Sequence, residues 1–317
     1  MLKNEALKKI IGDDIKENYV IRPETRVGTG GVSEFYYEAN TLEELISAVS
    51  AAMSVEEEYM VLGSGSNVLF SDYGYKGLVI KNKSSNIAFL DSQIIVDSGV
   101  SLKKIVLDSC SRELTGLEPF ICVPGTIGAA VLNNISAFGV DLSKFIKSAT
   151  FLFPKNDDEH KILKKNREWF EFEKGTTKPR KIVPKPVLLS IKLQLARSKR
   201  EEILRKVSYY QKLSERSFSP DKNSLMIFNT RSTSGKKPED LIREVDGYKI
   251  RKNFIALEKN NYNFIKNLKK AKSEDIRNTI EEIKARVREK SGLMLEENIE
   301  YFGNWSNMDL NIEYEKE

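Results

Sequence analysis

Two glycine-rich segments constrain the fold of this chain more than any other feature. The first, residues 63–67, follows the short apolar run 58–62, and the second spans residues 123–139. Glycine lets backbone N–H groups approach a phosphate closely, and Ser, Thr and Asn side chains in these segments add hydrogen-bonding groups. From the residues alone, a large nucleotide-like ligand and two structural turns are both open interpretations.

The first segment does not lead into a helix, which argues against a Rossmann fold. A dinucleotide-binding fingerprint has the form GxGxxG and opens a helix. Here the apolar run Val68-Leu69-Phe70 follows directly. The Rossmann fold is therefore disfavoured.

Local patterns predict a mixture of helices and strands. Thr41 and Glu44 form a capping box, so a helix is expected to begin at Thr41. Ser101 and Ser273 are expected to cap two further helices, the second of which ends before Gly292. The other predicted elements are strands at 58–62, 77–81, 187–193 and 225–228, a hairpin over 86–98 and a helix over 200–215.

The composition is that of a globular protein with about two domains. The chain has 317 residues, 40% of them hydrophobic and 31% charged, and a domain has about 150 residues. Collagen, mucin and wholesale disorder are excluded. The net charge of +5 is too small to imply nucleic-acid binding. Residues 142–200 hold sixteen basic and six acidic residues. This stretch is either a solvated basic face or a surface that attracts a phosphorylated ligand.

Cys110, Cys122 and His160 are too few for a zinc site, which usually needs three or four such ligands, so we expect no metal. Both cysteines lie among apolar residues and are predicted to be buried thiols. The sequence has no signal-peptide core and no apolar run of about 18 residues. We therefore expect a cytoplasmic protein without a membrane span.

Several sequence blocks occur in a fixed order over about 280 residues. They are RVGTGG at 26–31, LGSGSNVLFSDYGYKGLVI at 62–80, GLEPFICVPGTIGAAVLNNISAFG at 116–139, PEDLI at 238–242, NFIKN at 263–267 and GLMLE at 292–296. Together they resemble the UDP-N-acetylenolpyruvoylglucosamine reductase family, also called the UDP-N-acetylmuramate dehydrogenase family.

The resemblance implies an α+β fold. A two-part FAD-binding region, similar to that of vanillyl-alcohol oxidase relatives, is expected over residues 1–205, with subdomains at about 1–82 and 83–205. A small α+β substrate-binding domain is expected over 206–303, and residues 304–317 are expected to form a tail.

The resemblance also implies the ligands. FAD would be the cofactor, NADPH the hydride source, and the enolpyruvyl ether of a UDP-sugar the substrate, as in peptidoglycan precursor synthesis. Asn229 and Asn263 are the expected substrate-binding residues. The residues expected to hold FAD are Gly63, Ser64, Gly65, Ser66, Asn67, Pro124, Gly125, Thr126, Gly128, Ala129, Asn134, Ala137 and Gly139.

The catalytic motifs depart from the family pattern. Glu173 stands where the family has an Arg, and Asn298 stands where it has a Glu. A carboxylate at 173 would repel the negative charge that develops on the substrate, and an amide at 298 cannot relay a proton. Ser224 is the candidate proton donor, although counting from the other end of its motif places Leu225 there.

Two functions are therefore open. One is an FAD-dependent oxidoreductase acting on a nucleotide sugar, with the usual reductase activity reduced by the replaced residues. The other is a flavin- or nucleotide-binding protein without turnover. Neither implies a nucleic-acid or membrane partner, and the oligomeric state does not follow from the sequence.

Overall fold

The computed structural model describes residues 3–153, 161–170, 186–217, 223–230, 235–250, 252 and 254–305. The chain divides into two compact units, each built from separate stretches of sequence. Unit 1 combines the described residues of Met1–Ile15, Tyr37–Ser64 and Val79–Pro220. Unit 2 combines those of Lys16–Tyr36, Gly65–Leu78 and Asp221–Glu317.

Helices and strands are interspersed along the chain. The helices are α1 (Lys3–Ile11), α2 (Leu42–Ser54), α3 (Leu102–Ser111), α4 (Ile127–Leu132), α5 (Arg200–Ser217), α6 (Pro238–Glu244) and α7 (Ser273–Ser291). The strands are β1 (Lys16–Val20), β2 (Val32–Ala39), β3 (Tyr59–Leu62), β4 (Val68–Phe70), β5 (Tyr75–Asn82), β6 (Ile87–Leu90), β7 (Gln93–Asp97), β8 (Leu114–Thr115), β9 (Ser136–Ala137), β10 (Val140–Asp141), β11 (Ile146–Phe153), β12 (Lys161–Asn166), β13 (Val187–Gln194), β14 (Ala196–Arg197), β15 (Ser224–Met226), β16 (Ile255–Glu258), β17 (Asn261–Asn267) and β18 (Glu300–Phe302).

Unit 1 is built on an antiparallel five-stranded sheet with the order β12-β11-β13-β7-β6. β6 and β7 form the predicted hairpin. On β13, Leu189, Ile191 and Leu193 are buried while the intervening residues are half-buried, as the two-residue period of a strand requires. α3 and α5 add Ile105 and Ile203 to the same core.

Two predicted helix caps in unit 1 are confirmed. Thr41 Oγ1 accepts a hydrogen bond from Glu44 N at 3.1 Å, and α2 begins at the next residue. Ser101 Oγ accepts one from Lys104 N at 3.2 Å and caps α3 in the same way. The Glu44 carboxylate accepts from Asn40 N at 2.6 Å rather than from Thr41 N, so the capping box is displaced by one residue.

Unit 2 contains an antiparallel three-stranded sheet with the order β15-β17-β16. Leu225, Ile265 and Leu257 lie side by side across its three strands and belong to one buried cluster. The apolar face of α7 joins that cluster through Ile276, Ile280, Ile283 and Val287, as predicted. β18 pairs in parallel with β4, so the end of the described chain lies beside the strand that follows the first glycine segment.

The predicted cap at Ser273 is wrong. Lys272 is the residue before the first helical residue of α7, and Ser273 is itself the first. The Asp72 carboxylate accepts a hydrogen bond from Ser273 N at 2.6 Å, and Asp72 N donates to Ser273 Oγ at 2.9 Å. The helix is therefore capped by a residue 201 positions away in sequence. Its end before Gly292 is confirmed.

The cysteine prediction is confirmed for one residue and wrong for the other. Cys110 is buried, and burial raises the pKa of its thiol to about 11. Cys122 is only half-buried, although it packs against the apolar core of unit 1.

Trp305, which the sequence placed in the tail, is buried, and its Nε1 donates to Phe302 O at 2.9 Å. The tail beyond it lies outside the described residues. No helix in the described part of the chain combines the length and apolar character needed to cross a membrane.

Candidate functional site

The second glycine segment is fastened to the residues that follow β7. Leu102 N donates to Gly125 O at 3.0 Å, and Gly128 N donates to Ser98 O at 2.9 Å. Thr126 then caps α4, and its hydroxyl accepts a hydrogen bond from Ala129 N at 3.4 Å. The segment is therefore held rigidly along one side.

The two glycine segments meet at Gly63 and Thr126, both in unit 1. A Cβ atom added at Gly63 would lie 2.8 Å from Thr126 Oγ1, closer than ordinary packing permits. Ser64 and Ala129, the exposed neighbours of this contact, lie one on each segment. A ligand that spans the contact can therefore touch both segments at once.

Gly128 is needed for packing. A Cβ atom there would lie 2.7 Å from Ser98 O and 2.7 Å from Ser98 Cβ. The residue is buried, whereas Pro124 at the start of the segment is exposed. Gly128 therefore packs closely against the loop after β7, and its role in holding FAD stays a prediction.

The end of the second segment is a tight hairpin. Ala137 pairs with Val140 across β9 and β10, and the two residues between them, Phe138 and Gly139, have φ values of 50° and 78°. Two successive positive φ values are typical of a type I′ turn. Asn134, before the hairpin, is buried and also has a positive φ of 39°. Gly139 is exposed at the tip.

The remaining predicted FAD residues of the first segment, Gly65, Ser66 and Asn67, belong to unit 2. Arg26 N donates to Gly65 O at 2.9 Å, so this part of the segment is held by the first sequence block of the family resemblance. Ser66 is half-buried. The first segment is therefore shared between the two units.

Asn67 and Asn298 form a reciprocal amide pair. Asn298 Nδ2 donates to Asn67 Oδ1 at 3.1 Å, and Asn67 Nδ2 donates to Asn298 O. Asn298 N donates to Ile227 O at 2.8 Å. The structure thus brings together a residue predicted to bind FAD and the residue at the family's Glu position.

The two predicted substrate residues lie near each other but differ in their surroundings. Asn263 is buried; its Oδ1 accepts from Phe228 N at 2.9 Å and its Nδ2 donates to Phe228 O at 2.8 Å. Asn229 is half-buried and its N donates to Glu296 O at 2.9 Å. Asn263 therefore uses its amide to hold the backbone, while Asn229 lies nearer the surface.

Ser224, the candidate proton donor, is almost fully buried in β15. Its Oγ donates to Glu258 Oε1 at 2.6 Å, and its carbonyl oxygen accepts from Arg26 Nε at 3.1 Å. Lys266 is its direct partner across the sheet. Sequence reasoning missed Glu258 and Lys266, because only the pairing of β15, β17 and β16 places them beside Ser224.

Glu297, the neighbour of Asn298, is held by a charged cluster. Its carboxylate accepts from Lys284 Nζ at 2.6 Å and from the Tyr301 hydroxyl at 2.5 Å. Burial alone would lower the pKa of Lys284, but the hydrogen bonds to Glu297 and Glu281 outweigh it and the pKa is raised. Burial and the charge of Glu297 raise the pKa of Tyr301.

Glu173, at the family's Arg position, lies outside the described residues. Within the described ranges, no group of His, Cys, Asp and Glu side chains is arranged to hold a metal ion.

Two family descriptions match the chain in order. Residues 33–157 match the FAD binding domain, and residues 219–302 match the C-terminal domain of UDP-N-acetylenolpyruvoylglucosamine reductase. The chain belongs to the UDP-N-acetylenolpyruvoylglucosamine reductase family. The membership confirms the predicted cofactor, FAD, and the predicted enzyme class, an FAD-dependent oxidoreductase.

Relatives of that name match along most of their length. The reductase of Lachnoclostridium phytofermentans is 25% identical over 315 residues, 94% of this chain and 96% of the relative. The reductase of Clostridium novyi is 30% identical over 167 residues, and there the match spans 53% of the relative. The sequence identity is therefore modest, but the match to the Lachnoclostridium phytofermentans reductase covers nearly the whole of both chains.

A solved structure supports the fold. The crystal structure of UDP-N-acetylenolpyruvylglucosamine reductase from Thermus caldophilus has a TM-score of 0.72 and 24% identity, covering 90% of this chain and 97% of that one. The predicted α+β class, an FAD-binding region followed by a small C-terminal domain, is confirmed.

Proposed function

We propose that this protein is an FAD-dependent reductase that acts on the enolpyruvyl ether of a UDP-sugar and takes hydride from NADPH, as in peptidoglycan precursor synthesis. The observation that carries the proposal is the contact between Gly63 and Thr126, which joins two glycine segments within unit 1. Small residues at that junction, Gly63, Ser64, Thr126 and Ala129, suit the close approach of an FAD diphosphate.

The residues around the junction fit FAD. Ser64 and Ala129 are exposed beside it, and Gly139 is exposed at the tip of the hairpin with no atom within 4 Å of an added Cβ. Bound FAD would supply hydride transfer from NADPH to the substrate alkene. The two glycine segments would hold the diphosphate and the flavin ring of FAD.

The second step of the proposed reaction is protonation of the substrate. After hydride addition, negative charge develops on the carbon beside the substrate carboxylate, and a proton must reach that carbon. Ser224 is the proposed donor, with Asn229 as a substrate contact. Glu173 supplies no cation at the family's Arg position, and Asn298 supplies no ionisable group at its Glu position, so we expect slower turnover than in a family member with the usual Arg and Glu.

Spectroscopy of the purified protein tests the proposal. We expect bound FAD to give a visible flavin band that NADPH bleaches and that the enolpyruvyl UDP-sugar restores. Colourless protein that takes up no FAD would contradict the proposed cofactor site. A flavin that NADPH reduces but the UDP-sugar does not reoxidise would contradict the proposed substrate and support the alternative of a binding protein without turnover.

A double-mutant cycle tests the junction itself. Gly63→Ala places a Cβ against Thr126 Oγ1, so we expect FAD affinity to fall at least about tenfold. Thr126→Ala removes the clashing atoms and serves as the matched control, at the cost of the α4 cap, about 1 kcal/mol of stability. Titration with FAD should show that Gly63→Ala together with Thr126→Ala binds more tightly than Gly63→Ala alone. Additive losses would mean that the segments do not act as one site.

A further inference from the structure

Unit 2 carries exposed apolar and basic side chains together where β16 begins and β17 ends. Phe254 is 51% exposed and Leu268 is 47% exposed. Leu268 N donates to Phe254 O at 2.7 Å, and Lys270 Nζ lies 5.7 Å from the centre of the Phe254 ring. Three further exposed lysines lie close by in the chain. We call the whole set the basic patch; it consists of Lys252, Phe254, Leu268, Lys269, Lys270 and Lys272.

The positive charge of the basic patch is only partly neutralised. Lys252 Nζ forms an ion pair with Glu282 Oε2 at 2.7 Å. In the part of the chain that the structure describes, Lys269, Lys270 and Lys272 form no ion pair, not even with the acidic residues in the first turn of α7. Three such charges beside two exposed apolar side chains suit a partner that is both acidic and apolar.

Two residues of the basic patch have strained backbone. Phe254 has a φ of 66° and Lys269 a φ of 82°, in the left-handed region that bulky side chains rarely adopt. Strain of this kind is often found at binding sites, where the surrounding structure holds it in place. Packing in the core does not explain Phe254, because half of its side chain is exposed. The strain therefore supports a binding role for this surface.

The C-terminal tail has the composition that such a surface would bind. Apolar and polar residues alternate without a break over 308–315, in the order Met, Asp, Leu, Asn, Ile, Glu, Tyr and Glu. Residues 306–317 contain four acidic residues and one lysine. In an extended segment this alternation places the apolar side chains on one side and the carboxylates on the other. Lysine side chains are long and flexible, so lysines beside the segment can reach those carboxylates.

Described contacts within unit 2 place the start of the tail beside the basic patch. Asn304 O accepts a hydrogen bond from Ser71 Oγ at 2.6 Å. The carboxylate of the next residue, Asp72, accepts one from Ser273 N at 2.6 Å, and Ser273 directly follows Lys272. Two hydrogen bonds therefore connect the last described residues to the basic patch. Twelve extended residues span up to about 40 Å, which is more than this short path requires.

We propose that the C-terminal tail, residues 306–317, binds the basic patch of its own chain. Its apolar side chains would cover the exposed Phe and Leu, and its carboxylates would lie near the lysines of the patch. A segment that is tethered beside its binding surface has an effective concentration in the millimolar range. Weak individual contacts are therefore enough to keep the basic patch covered.

Binding of the tail in trans tests the proposal. The FAD-loaded protein is prepared without residues 306–317, and a fluorescent peptide with the sequence of these residues is titrated against it. The peptide should bind with a Kd below about 1 mM, since a tethered segment with weaker affinity would leave the patch uncovered. Full-length protein should bind the same peptide at least about tenfold more weakly, because its own tail competes.

Variants of the basic patch separate charge from apolar contact. Lys269→Glu with Lys270→Glu should weaken peptide binding at least about tenfold. Lys237→Glu with Lys259→Glu is the matched control, since both lysines are exposed outside the patch, and binding should stay within about twofold. Phe254→Gly removes the ring and accommodates the φ of 66° without strain. Its peptide binding should fall at least about fivefold while its thermal stability is kept.

The full-length protein provides a second measurement that does not depend on truncation. Hydrogen exchange of the backbone amides of 268–272 should be at least about threefold faster in Lys269→Glu with Lys270→Glu than in the control variant. Equal exchange in the two, equal peptide binding by full-length and truncated protein, or no binding at 1 mM peptide would overturn the proposal. Truncated protein that binds anionic lipid vesicles, or that dimerises, but does not bind the peptide would assign the basic patch to another partner and overturn it as well.

Discussion

At the scale of single residues, asparagine side-chain amides join separate segments of unit 2 by hydrogen bonds. Asn67 pairs with Asn298, Asn263 holds both backbone groups of Phe228, and Asn267 donates to Val27 O at 2.9 Å. An amide carries donors and an acceptor on one planar group, so it can replace a strand partner where two segments do not run side by side. The sequence predicts Asn263 to bind substrate, and that role stays a prediction; its hydrogen bonds to Phe228, 35 positions away, could not be predicted.

Removal of the Asn263 amide should destabilise unit 2. Asn263→Ala breaks two hydrogen bonds and leaves the buried Phe228 N–H without its acceptor, which costs about 2 to 4 kcal/mol. Urea unfolding of the FAD-loaded protein measures the loss. Asn260→Ala, in the exposed turn between β16 and β17, is the control and should change the free energy of unfolding by less than about 0.5 kcal/mol. An equal loss in both variants would show that the Phe228 bonds contribute nothing specific.

At the scale of elements, local sequence signals predicted the positions of helices and strands better than the contacts that stabilise them. The caps at Thr41 and Ser101 are predicted from local sequence, and both are confirmed. The cap of α7 is Asp72, and the parallel pairing of β18 with β4 joins residues that lie even farther apart in sequence. Such contacts leave no local sequence pattern, which is also why Glu258 could not be assigned to Ser224 from the sequence.

The Asp72 cap gives a prediction for α7. Its carboxylate accepts from Ser273 N at 2.6 Å and from Gly30 N at 3.1 Å, and a negative charge at a helix N-terminus is favourable. Asp72→Ala should therefore cost about 2 to 3 kcal/mol, and Asp72→Asn less, since an amide oxygen can still accept. Denaturant unfolding of Asp72→Ala, Ser273→Ala and the double variant should give a coupling energy of about 1 kcal/mol. Strictly additive losses would contradict a shared cap.

At the scale of the whole molecule, the order of sequence blocks predicted the family, whereas the grouping of residues into units was not visible. Residues 16–36 and 65–78 are compact with the described residues of 221–317, and strands β2 and β5 each begin in unit 2 and end in unit 1. A sequence pattern is read along the chain and therefore favours continuous domains. The predicted division at residues 205 and 303 stays a prediction. The residues predicted to hold FAD could be chosen from their types in the sequence. The contact between Gly63 and Thr126 depends on the fold and could not be predicted in this way.

FAD should stabilise the whole protein, and its diphosphate should account for much of the effect. A ligand that binds only the folded state adds RT ln(1 + [L]/Kd), about 2.7 kcal/mol at 100 times Kd. Thermal unfolding should therefore shift upward with FAD concentration. Riboflavin carries the flavin ring but no diphosphate, so at the same concentration it should give a much smaller shift if the glycine segments hold the diphosphate as proposed. Gly63→Ala should reduce the FAD shift towards the riboflavin value, because its Cβ fills the junction with Thr126. Equal shifts from the two ligands in the wild-type protein would mean that the ring alone is recognised and that the two segments are structural turns.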